Sequence, residues 1–257
     1  MYAFIENIGK KFLGTIYYFG SLSFLTISSF KKIFKKRRRG NILKHIEEIG
    51  VESFPLVGII STFIGMVMVM ETAYTLKKFG AEIYTGGIVS VSMIRELGPV
   101  MVALVIAGRV GAAIAAELGT MKITEQIDAL EVLAVDPVSY LVTPRLIAGM
   151  IAIPTLFIFS FFLAIFGGFI VGVYMVGISS GMFLHQSFKF VALKDIIVGL
   201  IKVLVFAVII VNSSCHEGFR AKGGAEGVGK AATLSVVISF FLIILANLIL
   251  TAIFYFI

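Results

Sequence analysis

Cysteine occurs once and proline five times in 257 residues. A lone cysteine excludes an internal disulfide and any cysteine-rich metal site. Charge is scarce as well, 14% of the chain against about 25% in soluble domains. With 59% hydrophobic residues and a mean hydropathy of +1.04, too little polar surface remains to coat a soluble core. The chain reads as an all-α integral membrane protein, which excludes most soluble enzymes and DNA-binding folds. Few prolines beside 26 glycines suit packed membrane helices rather than disorder. The first apolar stretch carries no small-residue cleavage site, so no signal peptide is expected. No internal or inverted repeat shows, which argues against a secondary transporter. No segment is left for a soluble domain, so no nucleotide-binding fold is expected in this chain.

Net charge is +7, with most of the excess in Lys31, Lys32, Lys35, Lys36, Arg37, Arg38 and Arg39. Such a run can grip nucleic acid. Beside so apolar a chain it reads instead as a topology signal, held in the cytoplasm against anionic headgroups, and no nucleic-acid partner is expected. Upstream, Phe4, Ile5, Ile8, Phe12 and Ile16 recur at helical spacing, interrupted by Glu6, Lys10 and Lys11. That pattern predicts an N-terminal helix lying in the interface; a crossing by residues 12–30 is the alternative.

Five spans follow: 51–74, long enough for the roughly 20 residues a crossing needs, 85–116 with Pro99 inside it, 146–176, 195–211 and 231–256. A loop at 77–84 joins the first two, one containing His185, Lys189 and Lys194 joins the third and fourth, and a Gly-rich loop at 213–229 joins the last two. With the basic run inside, Lys122, Arg145, Arg220, Lys222 and Lys230 fall on the cytoplasmic side. Lys77, Lys78, Lys189 and Lys194 fall outside, as does the C-terminus.

The segment 117–143, ELGTMKITEQIDALEVLAVDPVSYLVT, is the longest between spans. Thr124 reads as an N-cap with Glu125 and Asp128 in the first turn, and Asp136-Pro137 as the stop. The expectation is a helix of about three turns over 125–135. Ile127, Leu130 and Ala134 share a face, and Glu125, Asp128 and Glu131 form an acidic edge. A helix lying on the bilayer would be basic; an acidic one with an apolar stripe suits a groove on another protein.

The stretch RELGPVMVALVIAGRVGAAIAAELGTMKITEQIDALEVLAVDPVSYLVTPRLIAG resembles the MlaE-type permease family, membrane subunits of ABC transporters that move lipids with MCE-domain proteins. GLIKVLVFA and GGAEGVGKAAT extend the likeness over essentially the whole chain. The resemblance implies one permease domain over 1–257. Residues 1–50 would form the interfacial helix and basic segment, and 51–257 five transmembrane helices with a short cytoplasmic coupling helix. It further implies a multi-pass inner-membrane subunit of a homodimer that encloses a cavity for phospholipid. The partners would be a separate ABC ATPase and an MCE-domain lipid-binding protein. The coupling helix would dock in the ATPase, which makes Glu125, Gln126, Ile127, Asp128, Leu130 and Glu131 the coupling candidates. Two other functions are weighed: a membrane-embedded lipid-modifying enzyme, and a carrier independent of ATP.

Within the spans, Arg95 and Glu96 lie about 16 Å from the outer end of the second. Lys202 lies at broadly similar depth in the fourth. Intramembrane charges face a partner or a water-filled cavity, so Glu96 is expected to pair with Lys202 or Arg95 beside the lipid path, where a cation also suits a lipid phosphate. An ion pair that only fixes helix packing is the alternative. Gly108, Gly111, Ala112, Ala115 and Ala116 form a small-residue stripe for close helix approach, either within the subunit or between two copies. Pro99 after Gly98 predicts a bend. Gly224 to Ala231 imitates the phosphate-binding GxxxxGK but ends in Ala where Ser or Thr must hold Mg²⁺. With no strand before it, a flexible turn is expected there. Cys215, His216 and Glu217 look ligand-like, yet three adjacent residues rarely converge on one ion, and His45 and His185 stand alone. No metal and no cofactor is expected.

Overall fold

The computed structural model describes residues 2–33 and 41–256. Lys35, Lys36 and Arg37 to Arg39 of the basic run lie outside the described residues, as do the side chains of Phe4, Ile5, Ile8 and Phe12. The described residues form helices and no strand, and five of these helices are long and apolar enough to cross a membrane. In chain order the elements are α1 (Tyr2–Ile33), α2 (Ile42–Ile49), α3 (Phe54–Lys77), α4 (Thr85–Ser92), α5 (Gly98–Ile106), α6 (Ala112–Ile123), α7 (Gln126–Val132), α8 (Thr143–Tyr174), α9 (Ser180–Lys189), α10 (Leu193–Phe219) and α11 (Gly224–Phe256). π turns at Met93–Leu97 and Ala107–Gly111 link α4, α5 and α6 into one span, and a third at Val138–Val142 leads into α8.

The spans run further than the hydropathy pattern predicts. Glu82–Ile123 covers 42 residues, about 63 Å against a hydrocarbon core of about 30 Å, so it overhangs even when tilted. The largest correction is at 213–229. The expected loop is helix on both sides, and only residues 220–223 connect α10 to α11. Ser213, Ser214, His216 and Glu217 read as loop because they are polar, but all four, like Asn212 before them, are buried and hydrogen-bonded to neighbouring helices. Ser213 Oγ meets Ser239 Oγ at 2.7 Å, and Ser235 Oγ donates to Ser214 Oγ at 2.9 Å. Ser29 Oγ donates to Asn212 Oδ1 at 3.0 Å. Paired in this way, such side chains join helices where unpaired ones would be expelled. The Gly224–Lys230 stretch is likewise the first turns of α11 and not a flexible turn. The linker around His185 contains α9, whose Phe183 is fully buried against α8 and α4.

Small residues set the closest approaches. A Cβ on Gly65 of α3 would lie 1.9 Å from the Ala164 carbonyl oxygen of α8. One on Gly167 would lie 2.3 Å from the Thr62 oxygen, so the two backbones touch at both points. The predicted stripe divides: Gly111 packs on Ser214 and Ser235 and Ala115 is buried, while Gly108 is open.

α1 crosses α10 obliquely. Tyr18 Oη donates to Glu217 Oε1 at 2.5 Å, and Ser21 Oγ lies 2.8 Å from His216 Nε2. Tyr18 and Ser29 are about 16 Å apart along α1, but their partners Glu217 and Asn212 are only about 8 Å apart along α10. At its far end, Lys32 pairs with Asp136 at 2.6 Å.

Candidate functional site

Two groups of sequence-derived candidates fall at opposite ends of the bundle. The first surrounds Lys202. Its side chain is 0% exposed and its ammonium lies 2.7 Å from Glu96 Oε2. The same nitrogen donates to Thr251 Oγ1 at 2.7 Å and to the Arg95 carbonyl at 3.0 Å. Pro99 accounts for that last bond: it has no N–H to give the carbonyl four residues back, so the Arg95 oxygen is free for an ammonium. Gly199, one turn before Lys202, lets α10 approach, since a Cβ there would lie 2.3 Å from the Ile94 oxygen.

Glu96 also accepts from Thr251 Oγ1 at 3.1 Å and from Asn247 Nδ2 at 3.3 Å. Of the two pairings expected for it, the structure makes the one with Lys202. Arg95 turns instead to Asp195, at 3.5 Å, whose other oxygen accepts the Ala192 N–H at 3.0 Å. The result is a polar network of four charges and two neutral side chains, with Asp195 about 3 Å in from the end of its span and the other five about 8 to 21 Å in from the ends of theirs. Lys202 is sealed inside, but Glu96 is 37% and Arg95 38% exposed on the face of the single chain. Asn247 Oδ1 is buried without a partner. Sequence reading missed Asp195, Asn247 and Thr251. The last two are polar, one turn apart and on one face of an apolar span, which is the signal that finds them.

The second group is at the α7 end. Thr124 is the C-cap of α6 rather than an N-cap, its hydroxyl donating to the Thr120 carbonyl at 2.9 Å. The N-cap is Glu125, in the left-handed region at φ 60°, and α7 makes two turns, not three. Lys122 clamps it to α6 through Asp128 at 2.6 Å. Asp136 does more than stop the helix, because it binds Lys32 and accepts the Ser139 N–H at 3.2 Å. Ile127 is buried and Leu130 packs on the core, so the apolar stripe faces its own bundle. Ala134 leaves it altogether, at φ 55°. Glu125, Gln126, Asp128 and Glu131 face out, joined by Val132 and Leu133, which are 87% and 72% exposed.

Cys215, His216 and Glu217 do not converge on a ligand. Cys215 is buried in α10, and the other two anchor α1. Ser21 donates its own hydrogen to the Tyr18 carbonyl at 2.8 Å, so it does not present a proton to His216 as a nucleophile would. Among the described residues no group of three or more His, Cys, Asp or Glu side chains is placed to hold a metal ion.

A family model described as "Permease MlaE" matches residues 42–253. The chain belongs to the MlaE permease family. It is 36% identical over 254 residues to the intermembrane phospholipid transport system permease protein MlaE of Haemophilus influenzae, covering 97% of both chains. It is 40% identical over 247 residues to a probable ABC transporter permease protein of Rickettsia typhi, covering 95% of each. A probable ABC transporter permease protein of Synechocystis is 42% identical over 229 residues, 89% of this chain and 87% of that one. As an MlaE-family permease with five apolar spanning helices, this is a multi-pass membrane transport protein rather than a catalyst.

Proposed function

We propose that this permease is the membrane half of an ABC transporter that moves phospholipids between membranes. In this reading two copies enclose a polar-lined lipid cavity in the inner membrane. A separate ATPase grips the α7 end, and an MCE-domain lipid-binding protein meets the other. The observation that carries it is the outward exposure of Glu96 and Arg95. Charges at this depth are not left facing lipid tails, so that face needs a water-filled cavity, and a second copy would close one. The relatives' printed names supply the phospholipid and the ABC class.

The mechanism follows from the joints. ATP-driven closure would press on the exposed edge of α7. α7 is tied to α6 by the Lys122–Asp128 pair, and α6 continues through two π turns to Glu96. A π turn carries one residue more than an α turn, so it is the place where such a rod changes register. Movement at α7 would thereby alter the Glu96–Lys202–Thr251 network and the cavity it lines.

The test is transport of labelled phospholipid in proteoliposomes containing the permease with its ATPase. Glu96→Lys and Lys202→Glu should each abolish transport, and the double exchange should restore part of it. Full transport by both single variants would overturn the reading.

A further inference from the structure

The cavity beside the α10–α11 connection belongs to neither candidate group. Its volume is about 320 Å³, and Tyr18, Arg220, Lys222 and Lys230 surround it above a floor that includes Ala231 and Leu234. It sits at the α7 end, remote from Glu96 and Lys202. We propose that this cavity binds the phosphate of an anionic phospholipid from the leaflet on the α7 side, as a bound lipid distinct from the transported one.

Three cations converge there, and two of them are not committed to a carboxylate. Arg220 lies over the Tyr18 ring, 5.3 Å from its centroid. Lys222 makes no ion pair among the described residues. Lys230 meets Glu226 at 2.6 Å, but both side chains are more than three-quarters exposed, and such a pair holds weakly. One carboxylate, Glu217, also lines the cavity. It is buried, accepts the Tyr18 hydroxyl and lies 3.1 Å from His216 Nδ1, so its charge is engaged on the inner side. The connection is held in place, because a Cβ on Gly227 would lie 1.8 Å from the Lys222 carbonyl oxygen. That glycine lets the backbone bearing Lys222 fold onto α11.

The apolar part of the lining points to a lipid rather than a free anion. Lys230, Leu234, Val237, Phe241 and Ile244 follow one another by four, three, four and three residues, so they lie along one face of α11. All five are exposed. From Leu234 to Ile244 this stripe is about 15 Å long, the depth of one leaflet. A phosphate among Arg220, Lys222 and Lys230 would therefore sit at headgroup level with an acyl chain laid along the stripe.

The test uses the full-length permease purified in mild detergent, with thermal melting and native mass spectrometry in added phosphatidylglycerol, phosphatidylcholine or inorganic phosphate. Phosphatidylglycerol should raise the melting temperature and remain as one retained lipid more per chain than phosphatidylcholine gives, and inorganic phosphate should do neither. Lys222→Glu and Arg220→Gln, both at exposed positions, should each weaken that retention about five-fold, the weight of one cation at an anionic headgroup. Lys189→Glu, the same charge change at the opposite end, should leave it intact. Equal retention of phosphatidylcholine, equal protection by inorganic phosphate, or equal loss in Lys189→Glu would each overturn the proposal. So would undiminished phosphatidylglycerol retention in Lys222→Glu, or a Lys222→Glu chain that keeps its lipid and loses only a co-purifying protein. No readout depends on transport, so this proposal and the transport reading fail separately.

Discussion

Removing the Lys202 ammonium would leave the Glu96 carboxylate with only hydroxyl and amide donors inside a membrane span. Lys202→Met should therefore destabilise the chain by on the order of 3 kcal/mol, read as a lower melting temperature in detergent. Adding Glu96→Gln should recover most of that loss, because the unpaired charge goes with it. Glycine gives a second contrast at this scale. Gly65→Ala forces a methyl into the Ala164 carbonyl and should cost about 2 kcal/mol or more. Gly108→Ala meets nothing within 4 Å and should be neutral or slightly stabilising in the same melt. The sequence marks both as small residues, but only the packing separates them.

Among the elements, α7 shows most plainly where sequence patterns stop being informative. Its existence, acidity and approximate place are legible from EQIDALEVLAVDP. Its orientation is not, since an apolar stripe looks the same whether it faces a partner or its own bundle. Val132 points outward because it lies five residues, about 140° round the helix, from the buried Ile127, and Leu133 follows it at the C-cap. Val132→Asp or Leu133→Asp should thus release a co-purifying ATPase while leaving the melting temperature unchanged. Ile127→Asp should instead lower the melting temperature, because it places a carboxylate in the core. Ala134→Gly relieves a left-handed alanine and should stabilise the chain by about 1 kcal/mol. α10 runs beyond its hydropathy pattern for a related reason. Its polar C-terminal turns have partners on α1 and α11 that are distant in sequence, and hydropathy counts composition without partners.

For the whole molecule, composition alone gives the all-helical membrane fold, and five apolar runs give the number of spans. The joints between spans are less legible, because π turns carry no hydropathy signature. The crossing of α1 over α10 is not legible either, as it depends on Tyr18, Ser21 and Ser29 finding partners near 212–217. Those bonds make α1 part of the core. A chain beginning after residue 33 would strand Glu217, His216 and Asn212. It should lose about 3 kcal/mol or more, a melting temperature about 6–12 °C lower for a chain of this length.

Within the 42-residue span, Arg109 lies almost midway between Glu96 and the end of α6. Its guanidinium donates to Ser53 Oγ at 2.6 Å and to the Glu48 carbonyl at 3.0 Å, and pairs with Glu52 at 2.6 Å. These bonds pin the rod to the start of α3. About 21 Å of helix lies between this pin and the end of α6, and about 20 Å between it and Glu96. Such a rod is a seesaw with nearly equal arms. A push of a few ångströms at α7 would reach Glu96 as a shift of similar size in the opposite direction, so an inward stroke at one end of the bundle would open the other.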